Sequence, residues 1–290
     1  MAEDRPFDID IPEYGTLTIS DDFMFCAVMR NKDLCRRVLE CILGIEIDRI
    51  EFPHGQEVID PANDMKSVRL DVYVKGSNNT VYDIEMQTTK YRNLPLRTRY
   101  YHSVADTDNL EKGMDYLDLP VSYVIFICTF DPSDEDRHYY SYSTRCDQNT
   151  EKVLDDRRKT IFLNTKGTTD DVSSDLRDFL NYFNGEISDN KLVRDLDAEV
   201  RAKRLDKGLK EAYMTVMMRE NEKYRQGREE GREEGREEGR EEGREEGKTE
   251  TQSRMVQLIG ILTDNNDFVT LKEIAKDPEL LEKLFKKYNI

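Results

Sequence analysis

The chain has 290 residues, 37% of them hydrophobic and 36% charged, and its 61 acidic residues outnumber 44 lysines and arginines to give a net charge of −17. The acidic excess argues against a general nucleic-acid coat protein or a binder of anionic membranes, because both depend on neutralising phosphates. The longest apolar run, Val121–Cys128, is far shorter than the ~20 residues of a membrane-spanning helix.

The N-terminus and the cysteines predict an intracellular, cytoplasmic protein. Residues 1–6 are acidic and lack the apolar segment of a secretory signal. The five cysteines are an odd number and contain no CxxC pair, so with three scattered histidines they favour neither a disulfide framework nor a zinc site.

Residues 1–19 read as a loose acidic arm. Ser20-Asp21-Asp22 then offers an N-cap, and apolar residues at helical spacing predict a helix pair over Phe23–Leu43. Gly44 is a typical C-terminal cap for the second helix.

Past this helix pair the apolar period changes from about 3.6 to 2. Val68–Val74 alternates strictly, residues 76–79 form a turn cluster, and Val81–Gln87 alternates again. The second strand places Asp83, Glu85 and Gln87 on one face. We therefore predict a hairpin with one packed face and one solvent-facing, polar face.

The remaining elements of the core follow in the same way. A helix is predicted from Pro95 towards Gly113, since proline is favoured in a first turn. The most apolar stretch predicts a central strand buried on both faces. The order of elements predicts an α/β core with a mixed sheet, whose later members are strands at Val121–Phe130, Tyr139–Thr144 and Thr160–Leu163 and helices at Asp175–Phe183 and Leu192–Tyr224.

The chain is expected to divide into the arm, a core domain over residues 20–190, a helical extension over 191–226, a repeat over 227–247 and a C-terminal helical module over 248–290. The repeat is Gly-Arg-Glu-Glu five times, without any apolar residue. Each glycine costs ~1 kcal/mol in a helix, which favours a solvated linker or a helix held by flanking partners. The alternative is coiled-coil pairing through Gly-x-x-x-Gly, and hence a homo-oligomer through the C-terminal helices.

The acidic residues of the hairpin are the main candidates for chemistry. If Asp71 lies opposite Glu85, their Cβ atoms are ~5 Å apart. Two carboxylates so close repel each other unless a hard cation such as Mg²⁺ or Mn²⁺ lies between them. Gln87 projects to the same side and can orient a metal-bound water, and Asp83 is either a spare ligand or simply polar. The competing interpretation is an ordinary solvated strand face.

Several of these segments resemble one known family. The chain is similar to the PD-(D/E)XK nucleases, and within them to the nuclease-family transposases or recombination-promoting nucleases. The similarity covers roughly residues 20–165. The matching segments are Asp22-Phe-Met-Phe25, Arg69-Leu-Asp-Val72, Tyr82-Asp-Ile-Glu-Met-Gln87, Arg97-Thr-Arg-Tyr-Tyr101, Val124-Ile-Phe-Ile-Cys128 and Phe130-Asp131.

The resemblance implies an αβββαβ core of the restriction-endonuclease type, with Asp71 and Glu85 as ligands of Mg²⁺ or Mn²⁺. Gln87 then occupies the position of the superfamily's lysine. A neutral amide carries no positive charge to the transition state, so a basic residue or a second ion would have to supply it. Leu70 stands where the superfamily has proline, and Glu40 is the candidate for an acid on the first helices.

A basic segment follows these acids. Residues 88–103 carry four positive charges and no acid, and Tyr100 and Tyr101 lie among them. Such a cluster is either a solvated helix start or a surface that contacts DNA phosphates. The candidate phosphate contacts are Lys90, Arg92, Arg97, Arg99 and Tyr101. His102 and His138 have no partner in the sequence pattern and are expected to be structural or surface residues.

Three hypotheses of function remain from the sequence. The first is a Mg²⁺-dependent DNA endonuclease that hydrolyses phosphodiester bonds and promotes recombination or mobile-element transfer. The second is a non-catalytic DNA-binding or oligomerising protein in which glutamine has replaced a required lysine. The third is a nuclease-like scaffold whose helical tail is the interaction surface.

Overall fold

The computed structural model describes residues 11–52 and 71–290. The first part of the acidic arm, and the predicted strand residues 68–70 with Arg69 and Leu70, lie outside this range. The described chain forms two compact units, one over residues 11–216 and one over residues 217–290.

The predicted helix pair is confirmed as α1 (Asp22–Met29) and α2 (Lys32–Leu43). The side chain of Asn31 accepts a hydrogen bond from the amide of Leu34 at 3.3 Å and so caps α2. Gly44 ends the helix with φ 65°, a left-handed conformation that glycine adopts without steric cost. The apolar stripe of α2 is buried, as its 3.6-residue spacing predicts.

A six-stranded sheet forms the centre of residues 11–216, with strand order β1-β2-β3-β4-β8-β5. Strands β3, β4 and β8 are parallel to one another, and the remaining pairs are antiparallel. Strands β6 and β7 form a separate hairpin. The strands are β1 (Ile50–Glu51), β2 (Val72–Gly76), β3 (Thr80–Gln87), β4 (Val121–Cys128), β5 (Tyr139–Tyr142), β6 (Arg145–Cys146), β7 (Asn149–Val153) and β8 (Arg158–Asn164).

Helix α3 (Leu94–Asn109) joins β3 to the parallel strand β4, so the chain order is α, three strands, α, strand. The predicted fold class, an αβββαβ core with a mixed sheet and a C-terminal helical extension, is thereby confirmed. Helix α3 packs on one face of the sheet through Leu94, Tyr101 and Ala105. Helix α1 contacts β3 as well. Strand β4 is buried on both faces along most of its length, as its unbroken apolar sequence predicts.

Two further helices complete this unit, α4 (Ser174–Tyr182) and α5 (Lys191–Arg204). Helix α5 packs against α1, α2 and α4 and buries Leu192, Val193, Leu196 and Val200. The first part of the predicted helical extension over residues 191–226 is therefore part of the core. The reason is the apolar stripe of α5, which the helices α1, α2 and α4 cover.

The predicted arm over residues 1–19 is not loose in its described part. Tyr14, Leu17 and Ile19 are buried. The hydroxyl of Tyr14 donates to the carbonyl of Lys203 at 2.6 Å, and Arg204 donates to the carbonyl of Leu17 at 2.7 Å. The segment is ordered because burying these apolar side chains lowers the free energy of the folded chain by more than leaving them exposed to solvent would.

The predicted helix Leu192–Tyr224 is interrupted at Leu205 and Asp206, so that prediction was wrong in its continuity. The side chain of Asp206 accepts from the amide of Leu209 at 3.1 Å and starts a new helix. Helix α6 (Lys207–Asp264) then runs through the whole Gly-Arg-Glu-Glu repeat. No helix among residues 11–52 and 71–290 is long and apolar enough to cross a membrane.

The C-terminal helices have a core of their own. It contains Leu258 and Leu262 of α6, together with residues of α7 (Phe268–Glu273) and α8 (Pro278–Tyr288). Phe285 of α8 is 2% exposed, and the guanidinium carbon of Arg254 lies 4.3 Å from its ring centroid. The cluster is expected from the apolar residues that recur at helical spacing in α6 and α8.

Candidate active site

The β2–β3 hairpin brings Asp71 and Glu85 together as predicted. Val72 pairs with Ile84 in the sheet, so the register places Asp71, one residue before β2, opposite Glu85. The amide of Asp71 donates to Oε1 of Glu85 at 3.0 Å, and the amide of Met86 donates to Oδ2 of Asp71 at 3.0 Å. Each carboxylate is thus held by the backbone of the other strand, which fixes both without a flexible loop.

The polar face of this hairpin is buried, so the prediction that it faces solvent was wrong. Asp83 and Glu85 are each 2% exposed and Gln87 is 6% exposed. Helix α3 lies on this face and covers it. The ring of Tyr101 stacks on that of Phe126, with the two ring centroids 6.0 Å apart. A strand pattern that alternates apolar and polar residues normally marks a wet face. Here the polar residues line the interior because the crossover helix returns over them.

Burial acts strongly on the two acids of β3. Removal from water, and then the negative charge of Asp71, raise the pKa of Glu85 above its usual range. Burial, followed by the charges of Glu85 and Asp71, raises the pKa of Asp83 well above its usual range. Neither carboxyl oxygen of Asp83 has a hydrogen-bond partner among the residues described. A cluster of acids without enough positive charge is typical of a site for function rather than for stability.

Arg97 is the cation that faces these acids. Its Nη2 donates to Oε2 of Glu85 at 3.2 Å, and its Nη1 donates to Oε1 of Gln87. The same guanidinium donates to the hydroxyl of Tyr101 from Nε at 3.2 Å and from Nη2 at 2.8 Å. The residue was predicted from sequence as a phosphate contact. The structure places it inside the acidic cluster, one turn before Tyr101 on α3.

The amide of Gln87 is oriented at both ends. Its Oε1 accepts from Arg97, and its Nε2 donates to the carbonyl of Thr89 at 2.8 Å. Burial, and then the charge of Glu85, raise the pKa of the Tyr101 phenol, so that phenol remains protonated at neutral pH. The acidic cluster therefore contains the two carboxylates held by backbone amides, the buried carboxyl of Asp83, one oriented amide, one guanidinium and the phenol of Tyr101.

The donor set fits a hard divalent ion, although it is small. Among the residues that the structure describes, no group of three or more His, Cys, Asp and Glu side chains is placed to hold a metal. Asp71 and Glu85 are nevertheless adjacent oxygen donors, held opposite each other by backbone hydrogen bonds. Mg²⁺ is commonly bound by only one or two carboxylates, with water and substrate phosphate as the other ligands.

The remaining basic candidates and Glu40 either have partners outside the acidic cluster or are exposed to solvent. Lys90 forms an ion pair with Asp134, whereas Arg92 and Arg99 are exposed to solvent. Glu40 accepts hydrogen bonds from Arg36 at 2.7 Å and from the amide of Ile47 at 2.9 Å, which is a structural role at the end of α2.

Beside the start of α3 lies a cavity of about 400 Å³. Its walls are mainly apolar and aromatic, and Lys90 and Arg92 contribute basic groups to it. The aromatic residues that line it are Tyr91, Phe130, Tyr142 and Phe162.

Both histidines have partners that the sequence pattern does not indicate. Nδ1 of His102 lies 2.7 Å from the hydroxyl of Ser122, and Nε2 lies 3.1 Å from that of Thr160. His138 is buried, and its Nδ1 lies 2.9 Å from Oδ1 of Asp171. Both histidines are buried rather than on the surface, and their partners come from other elements of the fold.

Comparison with known proteins gives a match to a family model. The family model of the PD-(D/E)XK nuclease family transposases matches residues 21–235. The match covers more than half of the chain and includes the β2–β3 hairpin and α3. No curated protein and no solved structure shows a significant match.

Proposed function

This chain belongs to the PD-(D/E)XK nuclease family transposases, and on that premise we propose that it is a metal-dependent DNA endonuclease that hydrolyses phosphodiester bonds. Membership of a nuclease superfamily supports a nuclease-like function. The observation that carries the finer proposal is the arrangement of Asp71 and Glu85 beneath α3. Each carboxylate accepts a hydrogen bond, at 3.0 Å, from a backbone amide on the other side of the hairpin.

In this proposal Asp71 and Glu85 hold Mg²⁺ or Mn²⁺. A divalent ion, when bound, lowers the pKa of a coordinated water and stabilises negative charge on a phosphate. The chain keeps both carboxylates in place through the amides of Asp71 and Met86. Thr89 and Arg97 hold the amide of Gln87 in one orientation, and α3 shields Glu85 and Gln87 from solvent. Fixed groups in a site that excludes water stabilise a developing charge better than solvent does.

The proposed substrate is DNA, and the surface beside the site supports this choice. Arg92 and Arg99 are exposed at the start of α3 and can contact phosphates. The neighbouring aromatic cavity, lined by Tyr91 and Tyr142, offers rings on which an unpaired base can stack. We further propose that the cleavage promotes recombination or mobile-element transfer in the cytoplasm, and that the C-terminal helices form a homo-oligomer.

Isosteric variants of the two carboxylates test the proposal. Purified protein is incubated with supercoiled plasmid in Mg²⁺ or Mn²⁺, and the nicked fraction is followed on a gel. Asp71→Asn and Glu85→Gln each remove a negative charge without changing the shape of the side chain. Each is expected to lower the nicking rate at least about a hundredfold, because both act on the same ion.

Glu40→Gln is the matched control, since its carboxylate accepts from Arg36 and from the amide of Ile47 rather than from a group of the acidic cluster. It is expected to nick at the wild-type rate. Equal nicking by the wild type and both site variants, or no nicking by the wild type in either metal, contradicts the proposal.

The alternative function is a non-catalytic DNA-binding or oligomerising protein on the same fold. It is favoured by the ion pair between Arg97 and Glu85, which already neutralises one of the two carboxylates, together with the glutamine that the resemblance places at the superfamily's lysine position. In that case DNA is bound without cleavage, and the Asp71 and Glu85 variants bind DNA as the wild type does.

A further inference from the structure

Arg97 differs from the other basic residues of its segment in what it contacts. Its side chain is 28% exposed, and every nitrogen of its guanidinium donates to a group of the acidic cluster. The guanidinium carbon lies 5.4 Å from the ring centroid of Tyr101 and 5.1 Å from that of Phe126. Two aromatic rings and three polar partners therefore determine its position, which is not expected of a residue that reaches out to DNA.

The contacts of Glu85 show what Arg97 does there. One carboxylate oxygen, Oε1, accepts from the backbone amide of Asp71, which belongs to the fold itself. The other, Oε2, accepts from Arg97. A divalent ion that used Oε2 of Glu85 would have to share or replace the bond of Arg97 to that oxygen, whereas the bond from Nη1 to Gln87 does not involve Glu85.

We propose that Arg97 is the resident cation of this site: it balances Glu85 before a metal binds, and it supplies beside Gln87 the positive charge that the superfamily obtains from lysine. This inference rests on the proposed nuclease function. Arg97 positions Glu85 and Gln87 by contact, and its charge acts on the phosphate through space. Gln87 then has a defined purpose, since its amide oxygen accepts the guanidinium and its amide nitrogen is fixed by Thr89.

The proposal predicts two effects of opposite sign for a single substitution. Arg97→Gln removes the competitor at Glu85, so Mn²⁺ binds more tightly, by on the order of tenfold, because a positive charge in contact with the ligand opposes a second one. The same substitution lowers cleavage about a hundredfold, because the site loses a fixed charge near the phosphate. A residue with a merely structural role would weaken both properties together.

The experiment measures Mn²⁺ affinity of the full chain by electron paramagnetic resonance and plasmid nicking in parallel. Lys112→Gln is the control, since this basic residue is exposed in the loop that follows α3; it should leave both the Mn²⁺ affinity and the nicking rate unchanged. The double variant Arg97→Gln with Gln87→Lys moves the positive charge to the superfamily's lysine position. We expect it to cut at least about tenfold faster than Arg97→Gln alone. Arg97→Lys keeps the charge and serves if Arg97→Gln does not fold, as judged by circular dichroism; it should cut within about tenfold of the wild type.

The outcomes separate this inference from the nuclease proposal. If the wild type cuts and Arg97→Gln has unchanged or weaker Mn²⁺ affinity, or cuts as fast, the role of Arg97 is wrong and the nuclease proposal stands. If the wild type neither cuts nor binds Mn²⁺ but Arg97→Gln binds it, the nuclease proposal fails and Arg97 is the resident cation. If neither protein binds Mn²⁺, both are overturned.

Discussion

At the scale of single residues, burial determines the chemistry of groups that look ordinary in the sequence. His102 is 3% exposed, and both ring nitrogens face hydroxyl groups, of Ser122 and Thr160. Burial lowers the pKa of this imidazole to about 4, since the charged form would be taken out of water. His102 is therefore neutral in the folded protein at physiological pH.

The depressed pKa of His102 is expected to make the folded protein less stable as the pH falls. The pKa of His102 is about 4 in the folded state and ~6.5 in the unfolded chain, so between these values the unfolded state binds more protons. The contribution of His102 is complete above about pH 6.5 and is lost as the pH falls towards 4, by up to ~3 kcal/mol. Urea denaturation of the wild type and of His102→Asn over this range measures it.

The difference between the two proteins isolates His102 from the carboxyl groups that titrate in the same range. We expect the wild type to lose more stability on acidification than His102→Asn does. Parallel curves for the two proteins would show that this imidazole is not the group responsible.

A second prediction concerns close packing around His138. A Cβ added at Gly167 would lie 2.6 Å from Cγ of His138 and 2.8 Å from its backbone nitrogen. Because a backbone atom cannot move aside like the end of a side chain, Gly167→Ala is expected to cost about 1–3 kcal/mol of unfolding free energy. Gly15→Ala is the control, since an added Cβ there has no neighbour within 4 Å. Equal stability of Gly167→Ala and Gly15→Ala would contradict the prediction.

At the scale of elements, α6 shows how flanking structure decides a weak local preference. Its glycine-rich repeat has no apolar residue and would be a marginal helix in isolation. Residues on either side are held, however: Tyr213 is buried before the repeat, and Leu258 and Leu262 are buried after it. Helix formation is cooperative, so turns that are anchored at both ends can carry the helix through the repeat.

The glycines of this repeat allow a direct test of whether they have a packing role. A Cβ at Gly231, Gly235 or Gly239 meets nothing within 4 Å. Replacing these three glycines by alanine is expected to stabilise the helix by up to ~1 kcal/mol per site, because the unfolded chain loses conformational freedom. Circular dichroism at 222 nm during thermal unfolding measures the gain.

Light scattering on the same variant tests the oligomer that we propose for the C-terminal helices. An unchanged mass and a higher melting temperature indicate that the repeat is a solvated helix. A lower mass than that of the wild type would show instead that these glycines permit close contact between helices.

At the scale of the whole molecule, the net charge of −17 is unevenly distributed. Residues 1–22 hold seven acids and one arginine, and the repeat holds ten glutamates and five arginines, so these two segments account for −6 and −5. Residues 88–103 carry +4 by contrast. Of these four charges, Lys90 and Arg97 are already paired with acids, so we expect only Arg92 and Arg99 to contact phosphates strongly.

The salt dependence of DNA binding measures this small number of contacts. Each phosphate that is neutralised contributes about 0.9 to the slope of log affinity against log salt concentration. Replacing both Arg92 and Arg99 by alanine is expected to reduce the slope by about 2 in a fluorescence anisotropy titration without metal. Arg240→Ala in the repeat is the control and should leave the slope unchanged. A double variant with the wild-type slope would place the DNA elsewhere on the protein.

Much of the fold was predictable from local patterns. The helix pair, the hairpin register that sets Asp71 opposite Glu85 and the doubly buried strand β4 all follow from spacing and turn chemistry. The interruption at Leu205 and the burial of Tyr14 were missed, because both depend on how α5 packs. Arg97 was predicted as a surface residue. Its spacing of four from Tyr101 was the one available signal that both lie on the same face of α3.

The sequence by itself determined which acids meet, because strand register depends on residues close together in the chain, and a two-residue period leaves little freedom. Only the tertiary structure decided that their face is buried, since that depends on where α3 returns across the sheet. Burial in turn raises the pKa of Glu85 and brings Arg97 onto it. Local patterns thus identify the residues of the candidate site, whereas their charge state and partners follow from packing between distant segments.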